Sequence, residues 1–147
     1  MRLETKTSLI ALLILSLFGY SASTQGISGL ISIPNAYFMD EASVRAHLYR
    51  GYPVRRGTIT ATPFDWLEAS IFYTSIENLP YPGSGFRQSY KDKGFNAKIK
   101  LFNETEFLPS IAFGLNDFAG TGLFSSEYLV ASKKVGKLSA TIGMGWG

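Results

Sequence analysis

The 147-residue sequence contains no cysteine and one histidine, His47. The first absence excludes a disulfide scaffold, a Cys-based zinc site and a thiol nucleophile. No lipid-anchored amino terminus is expected either, because that requires a cysteine at the cleavage point. A single histidine argues against a His-rich metal site and a catalytic triad. Charge is also scarce: 17% of residues are charged, and the formal net charge is +3. That excess is too small to argue for a nucleic-acid partner. Apolar residues reach 46%, so one folded domain is expected rather than disorder. No cofactor and no metal are expected from this inventory.

Long hydrophobic runs are nearly absent. The longest, Leu9 to Phe18, is broken by Ser16. A helix needs ~20 apolar residues to span a bilayer, and this run is about half that. Arg2 and Lys6 precede it, and Gly19, Ser21, Ala22 and Ser23 follow it. Residues 1–23 therefore read as a signal peptide helix, with cleavage expected between residues 21 and 25. Residues 24–147 form the mature portion. No later segment offers a transmembrane helix.

No stretch of the mature portion keeps a helical period. Alternation at period two recurs instead. It predicts seven strands, over 43–50, 58–63, 66–74, 94–102, 108–116, 127–135 and 138–147. In 94–102, Phe95, Ala97, Ile99 and Leu101 alternate with Asn96, Lys98 and Lys100. In 138–147, Leu138, Ala140, Ile142, Met144 and Trp146 alternate with hydroxyls and glycines. The two faces of 127–135 are hard to tell apart. From the second strand on, tight connections (63–65, 103–107, 135–137) take turns with longer ones (75–93 and 117–126).

Alternation means that one face is dry and the other polar or close-packed. Two architectures satisfy it. In a transmembrane β-barrel the apolar face meets lipid and the polar face lines the interior. Tyr49, Tyr52, Phe64, Trp66, Phe72 and Tyr73 then fall near strand ends, where aromatic girdles sit. In a soluble periplasmic sheet the apolar face is the core. The alternation of short and long connections favours the barrel. Seven strands do not close a membrane barrel, which needs at least ~8. The sequence also stops at Trp146-Gly147 inside a strand. The expectation is therefore an all-β, antiparallel up-and-down meander: an open segment of an outer-membrane barrel, the amino-terminal part of a longer one. A missed strand at Gly29–Ile33 is the alternative.

Several motifs are familiar. Gly26-Ile27-Ser28-Gly29-Leu30-Ile31-Ser32-Ile33-Pro34-Asn35-Ala36 resembles the opening motif of mature YjbH-family proteins. So do Pro63 to Ser70 (PFDWLEAS), Ser89 to Lys98 (SYKDKGFNAK) and Asp117 to Lys133 (DFAGTGLFSSEYLVASK). The resemblance spans about Gly26 to Gly147. It implies an outer-membrane β-barrel tied to exopolysaccharide or capsule secretion in a Gram-negative cell, and no enzymatic activity. It also implies partners: outer-membrane lipids, exopolysaccharide and other proteins of the export operon. Family members are several times longer than this chain. Many are lipoproteins, and here the cysteine is missing.

If the polar faces line an interior, Arg45, His47, Glu68, Lys98 and Lys100 point into it. Such a ring can select anionic polymers, or Glu68 can pair with Lys98 or Arg45 to stiffen the wall. A lone His47 reads as a wall residue. Glu104 and Glu106 lie two apart in a short turn and suit solvent better than glycoside hydrolysis. Gly120-Thr121-Gly122 lacks the Lys-Ser/Thr and helix of a phosphate loop. Its glycines suit a sharp turn. Asp117 and Glu127 flank that loop, and either can pair with Lys133. Tyr73 to Tyr90 offers a loop able to stack on sugars. Arg55 and Arg56 read as a solvated turn that can also meet anionic lipid headgroups.

Overall fold

The computed structural model describes residues 22–84 and 87–147. Residues 1–21 of the stretch expected to be a signal peptide lie outside them, and its last two, Ala22 and Ser23, lie within. Seven strands form one antiparallel meander in sequence order. They are β1 (Ser43–Gly51), β2 (Val54–Phe64), β3 (Leu67–Pro80), β4 (Ser89–Phe102), β5 (Ser110–Gly120), β6 (Ser126–Val135) and β7 (Leu138–Trp146). The sheet curls into an open half-barrel. β1 and β7 each have a strand neighbour on one side only, among the described residues. This is the open barrel segment that period-two alternation predicts. Gly29–Ile33 adds no strand to the sheet. Its backbone closes a small bridge, Gly29 to Pro34, within the amino-terminal segment.

The strands exceed the apolar alternation. β2 begins at Val54, β3 runs to Pro80, β4 begins at Ser89 and β5 continues to Gly120. The long connections therefore shrink to residues 81–88 and 121–125, while the connection after β4 spans 103–109. The expected parity of short and long connections is weaker than the sequence suggests. The reason is physical: the added ends of β2 and β4 carry polar groups on both faces, Arg55, Lys91 and Lys93 outward and Arg56 and Asp92 inward. They give no contrast to read, yet their backbones still pair.

Burial shows which face is which. The outward face holds the apolar set, and Val44, Leu48, Ile59, Ile71 and Phe95 are 71%, 87%, 52%, 50% and 47% exposed. The concave face holds Thr60, Thr62, Glu68, Asn96, Lys98 and Ser132, all buried. That is the reverse of a water-soluble sheet, whose apolar face must be covered. Residues 22–40 cover the concave face. Ile27, Ala36 and Phe38 from this segment pack against Ala112 of β5 and Tyr128 and Val130 of β6. This explains why the two faces of β6 look alike in sequence. Leu129 points outward, while Tyr128 and Val130 point inward to an apolar partner.

Two aromatics depart from the girdle positions expected of them. Phe72 is buried on the concave face, with the Arg56 guanidinium 3.8 Å from its ring centroid. Tyr49 alternates with the outward Leu48 and Arg50 and also faces inward. Phe64 and Trp66 do sit together at the turn end, their rings stacked with centroids 5.5 Å apart. Arg55 and Arg56 form no turn. They are consecutive residues of β2 and so leave opposite faces of the sheet.

Candidate functional site

The polar wall and the segment that fills it make up the candidate site. Glu68 on β3 and Lys98 on β4 are directly opposite in register. Both side chains are fully buried, with Nζ 3.6 Å from Oε1. Neither relies on the other alone. The Ser28 amide donates to Glu68 Oε1 at 2.6 Å, and the Ser28 hydroxyl donates to Oε2 at 2.7 Å. Lys98 Nζ donates to the carbonyls of Ser28 (3.2 Å), Asn35 (3.3 Å) and Tyr37 (2.7 Å). An ammonium has three N–H donors, and here three carbonyls meet them. Its charge also lies 4.4 Å from the Phe38 ring centroid.

Hydroxyls continue the attachment around the wall. Thr60 Oγ1 and Arg45 Nη2 both donate to the Gly26 carbonyl, each at 3.0 Å. Thr58 Oγ1 donates to the Gln25 carbonyl at 3.2 Å. The Ala36 amide donates to Ser132 Oγ at 2.9 Å, and Ser110 Oγ donates to the Ala36 carbonyl at 3.0 Å. Gly26 is required where it sits. Its φ is +88°, and a Cβ would overlap the Thr58 side chain. Strands β1 to β6 thus all grip one short segment.

The five residues expected to face an interior share this concave face. Arg45, Glu68 and Lys98 bind the segment or one another. Lys100 lies 5.0 Å from the Phe38 ring centroid. His47 is half-buried two residues from Arg45. What the sequence did not disclose is the occupant. Thr58, Thr60, Ser110 and Ser132 hold it, and hydroxyls are too common on that face to stand out.

Asp117, Gly120, Thr121, Gly122 and Glu127 separate into two roles. β5 bulges against β4 between Leu115 and Ala119, and Asp117 adopts φ +47°. Bulges re-aim side chains. Here the Asp117 carboxylate turns inward and accepts the amides of Gly122 (3.4 Å) and Phe124 (3.0 Å). Its own amide donates to Asn96 Oδ1 at 2.9 Å. Thr121 pairs with the Lys93 backbone through its amide and its hydroxyl. Glu127 faces outward, opposite Leu115 and Trp146. Neither acid pairs with Lys133 among the described residues. Lys133 instead sits 3.7 Å from Glu104, because the 103–109 connection folds over that strand end. Glu104 also accepts the Lys134 amide (2.8 Å) and the Tyr37 hydroxyl (3.2 Å), so it is engaged rather than merely solvated. These contacts hold its carboxyl below the usual range, the Lys134 amide most strongly.

With this geometry in place, likeness to known proteins becomes informative. A family model described as "Exopolysaccharide biosynthesis protein YbjH" matches residues 21–147. The chain belongs to the YjbH family. It is 38% identical over 133 residues to the "Uncharacterized lipoprotein YjbH" of Escherichia coli (strain K12). That alignment covers 88% of this chain and 19% of the relative, so the chain spans about a fifth of the YjbH protein it matches. No solved structure matches the chain. The family description links these proteins to exopolysaccharide biosynthesis. In this chain the concave face of the half-barrel is filled by residues 22–40.

Proposed function

We propose that this chain supplies the first wall of an outer-membrane β-barrel that supports exopolysaccharide or capsule export without catalysing a reaction. The observation that carries this reading is the inversion of polarity. Large apolar side chains stand exposed on the outward face, while Glu68 and Lys98 are buried on the other. A lipid surround satisfies that pattern, whereas water does not. The open edges of β1 and β7 require closure by chain beyond these residues or by another copy. The engagement of the wall's charges in holding residues 22–40 supports a structural role for them. The alternative, a soluble periplasmic sheet that binds carbohydrate, needs the outward face covered.

The test uses the whole protein in its own cell. Membranes are washed with alkaline carbonate, and surface and periplasmic polysaccharide are compared with those of a deletion strain. Retention in the pellet, with reduced surface polymer of unchanged sugar composition and linkage, is expected. Release by carbonate refutes the barrel. Altered linkage in the deletion strain refutes the non-enzymatic role.

A further inference from the structure

Cross-strand register on the outward face brings basic residues into one row at the loop end. Arg50 lies opposite Arg55, Arg55 opposite Ser75, and Ser75 opposite Lys91. The next outward row toward the middle holds Leu48, Gly57, Tyr73 and Lys93, and the one after holds Ala46, Ile59, Ile71 and Phe95. Each step is two residues, about 7 Å along a strand. The surface thus passes from wholly apolar to basic within about 14 Å.

This row is under-neutralised. Arg55 pairs with Glu77 at 2.6 Å, the one ion pair in the row among the described residues. Among the described residues, Lys91 Nζ donates to the hydroxyls of Ser75 (2.7 Å) and Ser89 (2.8 Å) and has no carboxylate partner. Like charges directly opposite on a sheet destabilise it, and Arg50 faces Arg55. An anion above the row removes that penalty. Beside the lysines lies a cleft of about 320 Å³ lined by Tyr73, Tyr81, Tyr90, Lys91 and Lys93. The Tyr81 and Tyr90 ring centroids are 6.1 Å apart. Tyr73 shares the row of Lys93, and Tyr90, opposite Ile76, lies one residue beyond Lys91, so aromatic rings flank the lysines on both sides. A phosphorylated sugar, whose apolar ring faces adjoin its phosphates, suits cations set between aromatic rings beside an apolar band.

We infer that this face binds the phosphorylated sugar headgroup of an outer-leaflet glycolipid through Arg50, Arg55, Lys91 and Lys93, with the tyrosine cleft against the sugar. The inference rests on the membrane reading above. The test uses the full-length protein in neutral detergent. Bisphosphorylated lipid A, its dephosphorylated form, inorganic phosphate and alginate are the probes. The variant is R50S/R55S/K91S/K93S, and retained heat-modifiable migration checks its fold. Wild type should bind bisphosphorylated lipid A at least ten-fold more tightly than the dephosphorylated form, and the variant should lose that preference. Equal binding of the two lipids, or a preference kept by the variant, overturns the inference. So does inorganic phosphate binding as tightly as the lipid, or alginate binding in its place. Carbonate extraction separates the two failures. A wild-type protein that stays in the membrane yet ignores phosphate refutes this inference alone.

Discussion

Ser28 and Glu68, forty residues apart in sequence, form a two-point contact: amide to Oε1 at 2.6 Å and hydroxyl to Oε2 at 2.7 Å. The carboxylate is fully buried, so this contact and Lys98 supply its neutralisation. Replacing Glu68 with Gln keeps the shape and removes the charge, leaving the Lys98 ammonium buried without its counter-ion. Residues 22–40 should then open more often. Ala36→Cys, fully buried in a chain without cysteine, provides the probe. Labelling of Ala36→Cys by a small maleimide should accelerate about ten-fold in the Glu68→Gln background, the factor expected from about 1.4 kcal/mol of lost clamping. An unchanged rate would show that the segment is held mainly by its apolar contacts.

Lys98 sets up a sharper comparison. Removing one partner of a buried pair typically costs about 3–5 kcal/mol, whereas replacing both by apolar groups is often neutral. Lys98→Met should therefore lower the urea midpoint strongly, followed by Trp66 and Trp146 fluorescence. Adding Glu68→Leu should restore part of the loss through coupling between neighbours. Restoration will be incomplete, because three carbonyls stay unpaired in both variants and the double variant also leaves the Ser28 amide and hydroxyl without their acceptor. Additive losses in the double variant would show that the pair does not act as a unit.

The reach of sequence reasoning follows from these contacts. All seven strands were legible because period-two alternation survives wherever one face is apolar and the other polar. Strand ends such as Lys91 to Lys93 were not, since both faces are polar there. The five concave-face residues were also legible, being charges on the polar phase of a strand. The filling segment was not. Gly26 to Ala36 has no periodicity, and its partners lie up to 96 residues away, as with Ala36 and Ser132. Local pattern cannot encode contacts at that range. The Asp117 bulge escaped for another reason: one extra residue shifts the alternation, so the pattern reads as a loop.

The loop after β5 separates conformational strain from steric fit. Gly120 has φ +126°, and a Cβ there would overlap the Lys93 carbonyl oxygen. Gly122 has φ +68° with open space around it. Gly120→Ala should sharply reduce the folded, heat-modifiable fraction. Gly122→Ala should fold, at a cost of about 1–2 kcal/mol for a left-handed non-glycine residue. Asp117→Ala should leave the sheet intact and speed protease cleavage within 121–125, because two amides lose their acceptor. Equal tolerance at both glycines would refute the steric account.

Glu104 predicts a pH dependence at the turn end. Its folded carboxyl is held below the ordinary value by the Lys134 amide, then by the Tyr37 hydroxyl and the nearby lysines. The contribution to stability is therefore complete above the unfolded value and is lost as pH falls through the folded one. The stability difference between wild type and Glu104→Gln should be constant near neutral pH and shrink under acid conditions, below about pH 4.3. Urea midpoints measured from pH 7 to pH 3 give this difference directly. A gap that widens on acidification would reverse the sign and reject the assignment.

The outward face distinguishes lipid from water most directly. Ile71 is 50% exposed and lies between Ile59 and Phe95 in register. On a water-facing surface, Ile71→Arg would change stability by about 0.5 kcal/mol or less. On a lipid-facing wall the same change costs about 2–4 kcal/mol near the bilayer middle, less toward the interfaces. Ser70, its neighbour, points to the concave face and hydrogen-bonds Asn96 at 3.0 Å. Ser70→Ala provides the inward control, losing one hydrogen bond worth about 1 kcal/mol. Folding of the full-length protein into phosphatidylcholine vesicles, read by urea titration, should rank Ile71→Arg well below Ser70→Ala. The reverse ranking would mean that the apolar face meets water or a protein partner, and the barrel assignment would fall with it.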